Sequence, residues 1–406
     1  MRFEEKISPF QPQDPVVPEK FEGREEIIEF YLPYLYQSSK SIPQHFFISG
    51  KRGMGKTSLA NYFKDIAEKK YKMVGIHVFN DGIHDVDSLI HQIVERLLNE
   101  IVKEKWSSKI INSFKKHVKS VGFAGANLEL NNDKETINHL KDNFAFVLEE
   151  IISKFEDKDG LLIIVDDLNG LSDNPNFANW YKSFADTLST RFKNKIPLAM
   201  ILASYPEKLE KLHQHNPSFT RIFKHIKVEK LKNNEIQDFF IKTFKLSDIQ
   251  IKNDALELMV HFSSGLPNMM QEIGDGVFWV NTDKCIDYND ALKGIIRAGN
   301  EIGFKYLERD LDSSIRSDKY LDIFNKLGLN FFTQDLEKDY SFRKSDIAHL
   351  LTEKEEKVFG HFLKRARDLK IIEYKGAKRS GHYTFTNNLY PIYFLIKSLE
   401  QQSEEI

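Results

Sequence analysis

A single cysteine in 406 residues, Cys285, excludes an internal disulfide and a thiolate metal cluster. No apolar run approaches the roughly 20 residues that a bilayer-crossing helix needs, and the charged start, Met1-Arg-Phe-Glu-Glu-Lys6, lacks a signal-peptide core. Net charge is nearly absent as well. The 58 Lys and Arg against 60 Asp and Glu leave −2, which excludes a globally basic nucleic-acid coat while leaving room for a local basic patch. There is no internal repeat and no low-complexity segment. These absences point to a protein of the reducing cytoplasm with no membrane partner. What is present, 41% hydrophobic and 29% charged residues, is the composition of an ordinary globular chain. The length suffices for two or three domains.

Four prolines between Ser8 and Pro18 predict an extended, irregular start. Helical spacing then runs from Arg24 to Tyr36, followed by a short apolar strand over His45–Ser49 and a helix from Thr57 with Leu59, Tyr62, Phe63 and Ile66 on one face. A strand is predicted over Met73–Phe79, a helix from Val86 to Lys119, a small hairpin or strand over Gly122–Leu130 and a helix from Glu135 to Phe155. Leu161–Val165 and Leu198–Ala203 are short, fully apolar runs, as buried parallel strands require, with a helix over Phe177–Phe192 between them. This alternation predicts a parallel sheet covered by helices on both faces. After Lys230 three helices are predicted, over 233–244, 254–262 and 267–280.

Gly50-Lys-Arg52-Gly53-Met54-Gly55-Lys56-Thr57 fits G-x-x-x-x-G-K-[ST], with a strand before it and an amphipathic helix after it. Glycines at this spacing let the backbone curl so that successive N–H groups face phosphate oxygens. Lys56 supplies charge at the β- and γ-phosphates, the Thr57 hydroxyl ligates Mg²⁺, and Ser58 follows on the same first turn. ATP with Mg²⁺ is therefore the expected cofactor. A phosphate loop of this kind needs an acid on a neighbouring strand, and the run ending in Asp166-Asp167 supplies one. Asp166 is the metal-side carboxylate. Asp167 stands where a glutamate would polarise the attacking water, and its shorter side chain predicts slow hydrolysis.

In this order, the phosphate loop, the Asp-Asp pair and the helical segment resemble the AAA+ and STAND ATPases. Phe21-Glu-Gly23-Arg24-Glu25 is similar to their "F-x-G-R-E" box, and the resemblance implies that Val16, Val17 and Phe21 line the adenine pocket. Ser204, after the strand Leu198–Ala203, takes the place of a polar γ-phosphate sensor. Arg221, in Ser218-Phe-Thr-Arg-Ile-Phe-Lys224, corresponds to an arginine finger offered to a neighbour in a homo-oligomer; an exposed arginine there is equally a solvated charge. Gly265-Leu-Pro267 is similar to the element by which STAND proteins reach the nucleotide from a helical lid, and it also fits a plain helix–helix corner. Origin-recognition-type initiators carry a sensor arginine just beyond, whereas Asn268-Met-Met-Gln-Glu272 has none. That departure favours a STAND-like switch over a fast motor.

From Tyr320 onward the pattern is that of a winged helix. A short helix, Asp346–Leu351, is followed by the capping box Thr352-Glu-Lys-Glu355 and a helix whose apolar side carries Val358, Phe359, Phe362, Leu363, Ala366 and Leu369. Lys364, Arg365 and Arg367 lie elsewhere around it. A hairpin follows, Ile371–Tyr374 and His382–Thr386, with Lys375, Lys378 and Arg379 at its tip. Lys364, Arg365, Lys375, Lys378 and Arg379 are thus candidates for duplex DNA, although winged helices also serve as protein-binding modules and nearby acids dilute the charge. A second basic stretch, Lys103 to Lys119, reads as a solvated helix face or a DNA-touching insertion. The expected organisation is α/β: a P-loop parallel sheet domain over 1–228, a helical lid over 229–310 with ATP between the two, and a winged helix over 311–406. Two functions fit, an ATPase that couples nucleotide state to DNA engagement and a signalling switch whose winged helix binds protein. A kinase is the weaker third, since no acceptor motif accompanies the loop.

Overall fold

A computed structural model of the chain describes residues 6–80, 82–102, 121–124, 127–130, 134–308, 317–332, 340–376 and 381–404. They form two compact units, Pro15–Glu229 and Lys230–Ile406, the latter joined by the segment up to Asp14.

The first unit is built on five parallel strands, β1 (Gln44–Ser49), β2 (Met73–Phe79), β5 (Gly160–Asp166), β6 (Leu198–Ser204) and β7 (Lys224–Lys227), in the order β2-β5-β6-β1-β7. β1, β5 and β6 are buried along their whole length, which is why 161–165 and 198–203 read as unbroken apolar runs, while β1 buries Gln44, His45 and Ser49 around its apolar centre. The sequence did not predict β7. Its residues, Lys-His-Ile-Lys, bury only Ile226, as an edge strand allows. The strand carrying Asp166 is not the neighbour of the phosphate-loop strand, because β6 lies between β5 and β1. β3 (Val121–Ala124) and β4 (Asn127–Leu130) form the expected antiparallel hairpin. The basic stretch 103–119 lies outside the described residues.

Around the sheet, the helices Glu25–Ser39, Lys56–Lys69, Val86–Val102 and Pro175–Arg191 follow the periodic segments. The single helix predicted over 135–155 is two, Lys134–Asp142 and Phe144–Ile152. Asn143 breaks it by turning its side-chain amide onto the His139 carbonyl at 3.0 Å, a local bond that competes with helix continuation.

His45, wholly buried on β1, sits with Nδ1 2.8 Å from the Tyr181 hydroxyl, and burial pushes its pKa down to about 4. The unfolded chain takes up this proton near pH 6.5 and the folded chain does not. Its contribution is therefore whole above pH 6.5 and is lost as pH falls toward 4, by about 3 kcal/mol. Urea midpoints measured between pH 7 and pH 4 are expected to drop, and a His45→Gln variant should flatten that slope.

The second unit contains the helices Asn233–Lys245, Asn253–Ser263, Pro267–Val280 and Tyr288–Ile302. A two-residue parallel bridge joins β8 (Gln250–Ile251) to β9 (Cys285–Ile286). A Cβ on Gly294 would lie 2.5 Å from the Val277 Cα, so glycine is what lets these two helices approach. Phe10 fills this core. It packs against Phe239, Phe240 and Phe244, and a Cβ on Gly274 would strike its ring at 2.2 Å. Toward the C-terminus come the helix Asp318–Phe332, β10 (Ser341–Arg343), the short helix Lys344–Ile347, the helix Glu353–Asp368, β11 (Ile372–Tyr374), β12 (His382–Phe385) and the helix Leu389–Glu404. The three strands form an antiparallel sheet in the order β10-β12-β11. The Thr352 capping box is present, with the Thr352 N–H donating to Glu355 Oε2 at 2.6 Å. Among the described residues, no helix is long and apolar enough to cross a membrane.

Candidate nucleotide site

Between β1 and the helix Lys56–Lys69, the loop turns on Gly53 (φ +77°) and Gly55 (φ +80°), a backbone region that disfavours side chains. The buried Arg24 holds the loop from behind, its guanidinium donating to the Met54 carbonyl at 2.7 Å and the Glu229 carbonyl at 3.1 Å. Its left-handed backbone (φ 66°), a conformation that costs a residue other than glycine, follows Gly23 at φ 81°. Arg24→Met removes both charged hydrogen bonds and leaves two carbonyls short of a donor. The expected cost is about 2–3 kcal/mol in chemical denaturation.

Lys56 Nζ donates to the carbonyls of Gly50 (2.9 Å) and Lys51 (3.1 Å) and lies 4.6 Å from the centre of the Tyr205 ring. Burial pushes its pKa down, while the charges of Asp166 and Asp167 work the other way. The ammonium is therefore incompletely compensated, and phosphate oxygens would complete it.

Thr57 Oγ1 donates to Asp166 Oδ2 at 2.7 Å, and the Asp167 N–H donates to Asp166 Oδ1 at 2.9 Å. Burial favours the neutral form of Asp166, but the His77 ring, the Thr57 hydroxyl and the Asp167 N–H outweigh it and hold the pKa below the ordinary carboxylate range. Asp167 itself is left-handed (φ 62°), and its carbonyl accepts from Asn80 Nδ2 at 3.2 Å. The hydroxyl of Ser204 at the end of β6 is buried and has no hydrogen-bond partner among the described residues.

These groups fit Mg²⁺ with a nucleotide. Thr57 spends its only hydrogen on Asp166, leaving its lone pairs for a cation, and hydroxyl and carboxylate oxygens are the hard donors this ion takes. Thr57 and Asp166 would hold the ion, which when bound would neutralise charge on the phosphates. Among the described residues, no three His, Cys, Asp or Glu side chains make a metal site by themselves.

Other expected residues fall less centrally. The Ser58 hydroxyl accepts the Val16 N–H at 3.2 Å, Val17 is exposed, and Phe21 stacks on Tyr62 at 4.9 Å. Arg52 is exposed on the loop, and Arg221 is exposed in the turn Phe219–Ile222. Pro267 belongs to the second unit, where it opens the helix Pro267–Val280 after Gly265 (φ +73°), whose carbonyl accepts the Leu231 N–H. Lys364 and Arg365 are exposed, Lys375 is half-buried with Nζ 3.3 Å from Ser341 Oγ, and Lys378 and Arg379 lie outside the described residues.

Sequence reasoning missed Asn61, His77 and Tyr205. Asn61 stands four residues beyond Thr57 on one helix face, and His77 interrupts an otherwise apolar strand; both signals were present.

Several solved structures share this fold. The Walker-type ATPase of Pyrococcus abyssi aligns with 17% identity and a TM-score of 0.52 over 95% of this chain and 99% of that one. The ORC2 protein of Aeropyrum pernix, in ADPNP and ADP complexes, aligns with 13% identity and a TM-score of 0.54 over 97% and 98%. Cdc6p of Pyrobaculum aerophilum aligns with 12% identity and a TM-score of 0.50 over the same shares. No curated protein matches at a significant level. The fold is thus shared with these structures. Residues 24–271, more than half of the chain and including the whole loop and the Asp166-Asp167 pair, match the KAP family P-loop domain, and the chain belongs to that family.

Proposed function

We propose that this protein is a slow ATPase switch that binds ATP with Mg²⁺ and couples its nucleotide state to engagement of duplex DNA through a C-terminal winged helix. The order of helices and strands from Asp318 to Glu404 supports the winged-helix reading. The observation that carries the DNA assignment is the outer face of the helix Glu353–Asp368. Lys354, Lys357, His361, Lys364 and Arg365 are exposed at helical spacing, while Phe359, Phe362, Leu363 and Ala366 are buried on the opposite side. A basic helix face beside an antiparallel hairpin suits groove and phosphate contacts. Slow hydrolysis follows from Asp167, which is short and whose backbone is pinned on both sides.

A specific observation favours a second reading. Arg367 lies over the Tyr374 ring at 4.4 Å and Lys375 is tied to Ser341, so two cations beside the hairpin are engaged within the chain. In that reading the module binds a protein partner and the chain is a signalling switch. Arg221, exposed in its turn, remains available to a second copy in either case.

Fluorescence anisotropy of a labelled duplex, titrated with the full chain in ATP–Mg²⁺ and then ADP–Mg²⁺ over a salt series, separates the two. Salt-dependent binding that differs between nucleotides supports DNA engagement. Lys357→Glu with Lys364→Glu should then weaken it and flatten the salt dependence by about one unit per cation lost. Absence of binding at low salt in both nucleotides overturns it in favour of the protein-binding switch.

A further inference from the structure

Beyond the loop and the acids, the nucleotide site contains a ring of polar side chains that none of those roles explains. His77 lies on β2, the sheet edge, with its side chain 9% exposed. Its Nε2 faces Asp166 Oδ2 at 3.4 Å, and its Nδ1 lies 2.8 Å from the amide of Asn61. Asn61 stands one helical turn beyond Thr57, and Thr57 donates to the same Asp166 oxygen. The chain Thr57–Asp166–His77–Asn61 thus leaves the phosphate-loop helix and returns to it, spanning two strands. Phe79 stacks flat on the imidazole at 4.2 Å and 20°, which fixes the plane of the ring. The Asn61 atom nearest Nδ1 is its Oδ1, so a hydrogen on Nε2, 3.4 Å from the carboxylate, requires the opposite orientation of that amide or a doubly protonated ring.

Packing does not ask for this imidazole. Its neighbours Ile76 and Val78 are core residues, and Nε2 is buried without an aligned hydrogen-bond partner, a state that costs about 1–3 kcal/mol. A carboxylate that must hold a cation needs its second oxygen and its rotamer fixed by groups behind it. The Asp167 N–H fixes Oδ1, and among the described residues Thr57 and His77 lie against Oδ2.

We infer that His77 and Asn61 are a positioning pair for Asp166 and set how much Mg²⁺ tightens the hold on nucleotide. The inference rests on the nucleotide reading above. It predicts a defect confined to the metal-dependent part of binding, which a merely structural strand residue would not produce.

The test is a fluorescence titration of the full chain with a labelled ATP, in Mg²⁺ and in EDTA. His77→Leu is expected to lose about tenfold in Mg²⁺ and to match wild type in EDTA. His77→Gln, which keeps a donor at the reach of Nε2, should recover most of that loss. Asn61→Ala should shift in the same direction by less, and this variant keeps the test open if His77→Leu does not fold. Wild-type affinities for His77→Gln, His77→Leu and Asn61→Ala alike, or equal losses in Mg²⁺ and EDTA, overturn the pairing. A wild-type chain that binds no ATP in either buffer fails differently, because it removes the nucleotide reading and this inference with it.

Discussion

Lys56→Ala lowers ATP affinity by about a hundredfold or more, to the point where a titration at micromolar protein shows no binding. The Lys56 ammonium is held by the Gly50 and Lys51 carbonyls and the Tyr205 ring, neutral groups that do not balance a partly buried charge. Phosphate oxygens would replace them with charge-assisted bonds worth about 1.5–3 kcal/mol each. Two such bonds are enough for the expected loss at about 1.4 kcal/mol per factor of ten. Calorimetric titration of ATP into the variant checks this, with urea unfolding to show that the chain is intact. An affinity within a few-fold of wild type would remove the loop assignment.

Asp166→Asn reduces phosphate release by about a hundredfold to a thousandfold, a magnitude typical of losing one preorganised electrostatic group. Shape is kept and charge is lost, so the result isolates the carboxylate. Thr57→Val should act through the same interaction, since its hydroxyl donates to Asp166 Oδ2. The double variant is therefore expected to be little worse than either single one. Steady-state phosphate release for the four proteins completes the cycle. Additive losses would mean that Thr57 and Asp166 work independently, against the geometry.

Much of this was legible in the sequence because its causes are local. Buried parallel strands are largely apolar, so β5 and β6 announced themselves, and β1 did so through its apolar centre Phe46-Phe-Ile48. The glycines and the strand–loop–helix context fixed the phosphate site, and Thr352 with Glu355 marked a helix start that the structure reproduces. What stayed hidden depends on pairing between distant segments. Strand order is one case, since no local pattern says that β6 enters between β1 and β5. β7 is another, its alternation too short and polar to separate from a turn. His77 and Asn61 were visible as polar interruptions, but their meaning arises only when β2 and the loop helix lie against β5. Similarly, a basic face on 353–368 could be read as three residues from composition, and only burial showed that Lys354, Lys357 and His361 extend it.

The placement of Phe10 has a consequence for synthesis. Its ring belongs to the core of the second unit, among Phe239, Phe240, Phe244 and Gly274, while Pro15–Glu229 form a compact unit of their own. In chain order the nucleotide unit is an insertion between Phe10 and its partners. At about 5–20 residues per second, the ribosome delivers the helix Asn233–Lys245 roughly 10–50 s after Phe10 emerges. For that interval the bulky apolar side chain of Phe10 has no pocket, while the sheet has had time to form. The sheet unit can therefore complete vectorially, but the other core closes only when its two ends meet. A temperature-sensitive step in making this protein would be expected there, and chaperones that shield short exposed aromatic segments would have their longest window on residues 6–14.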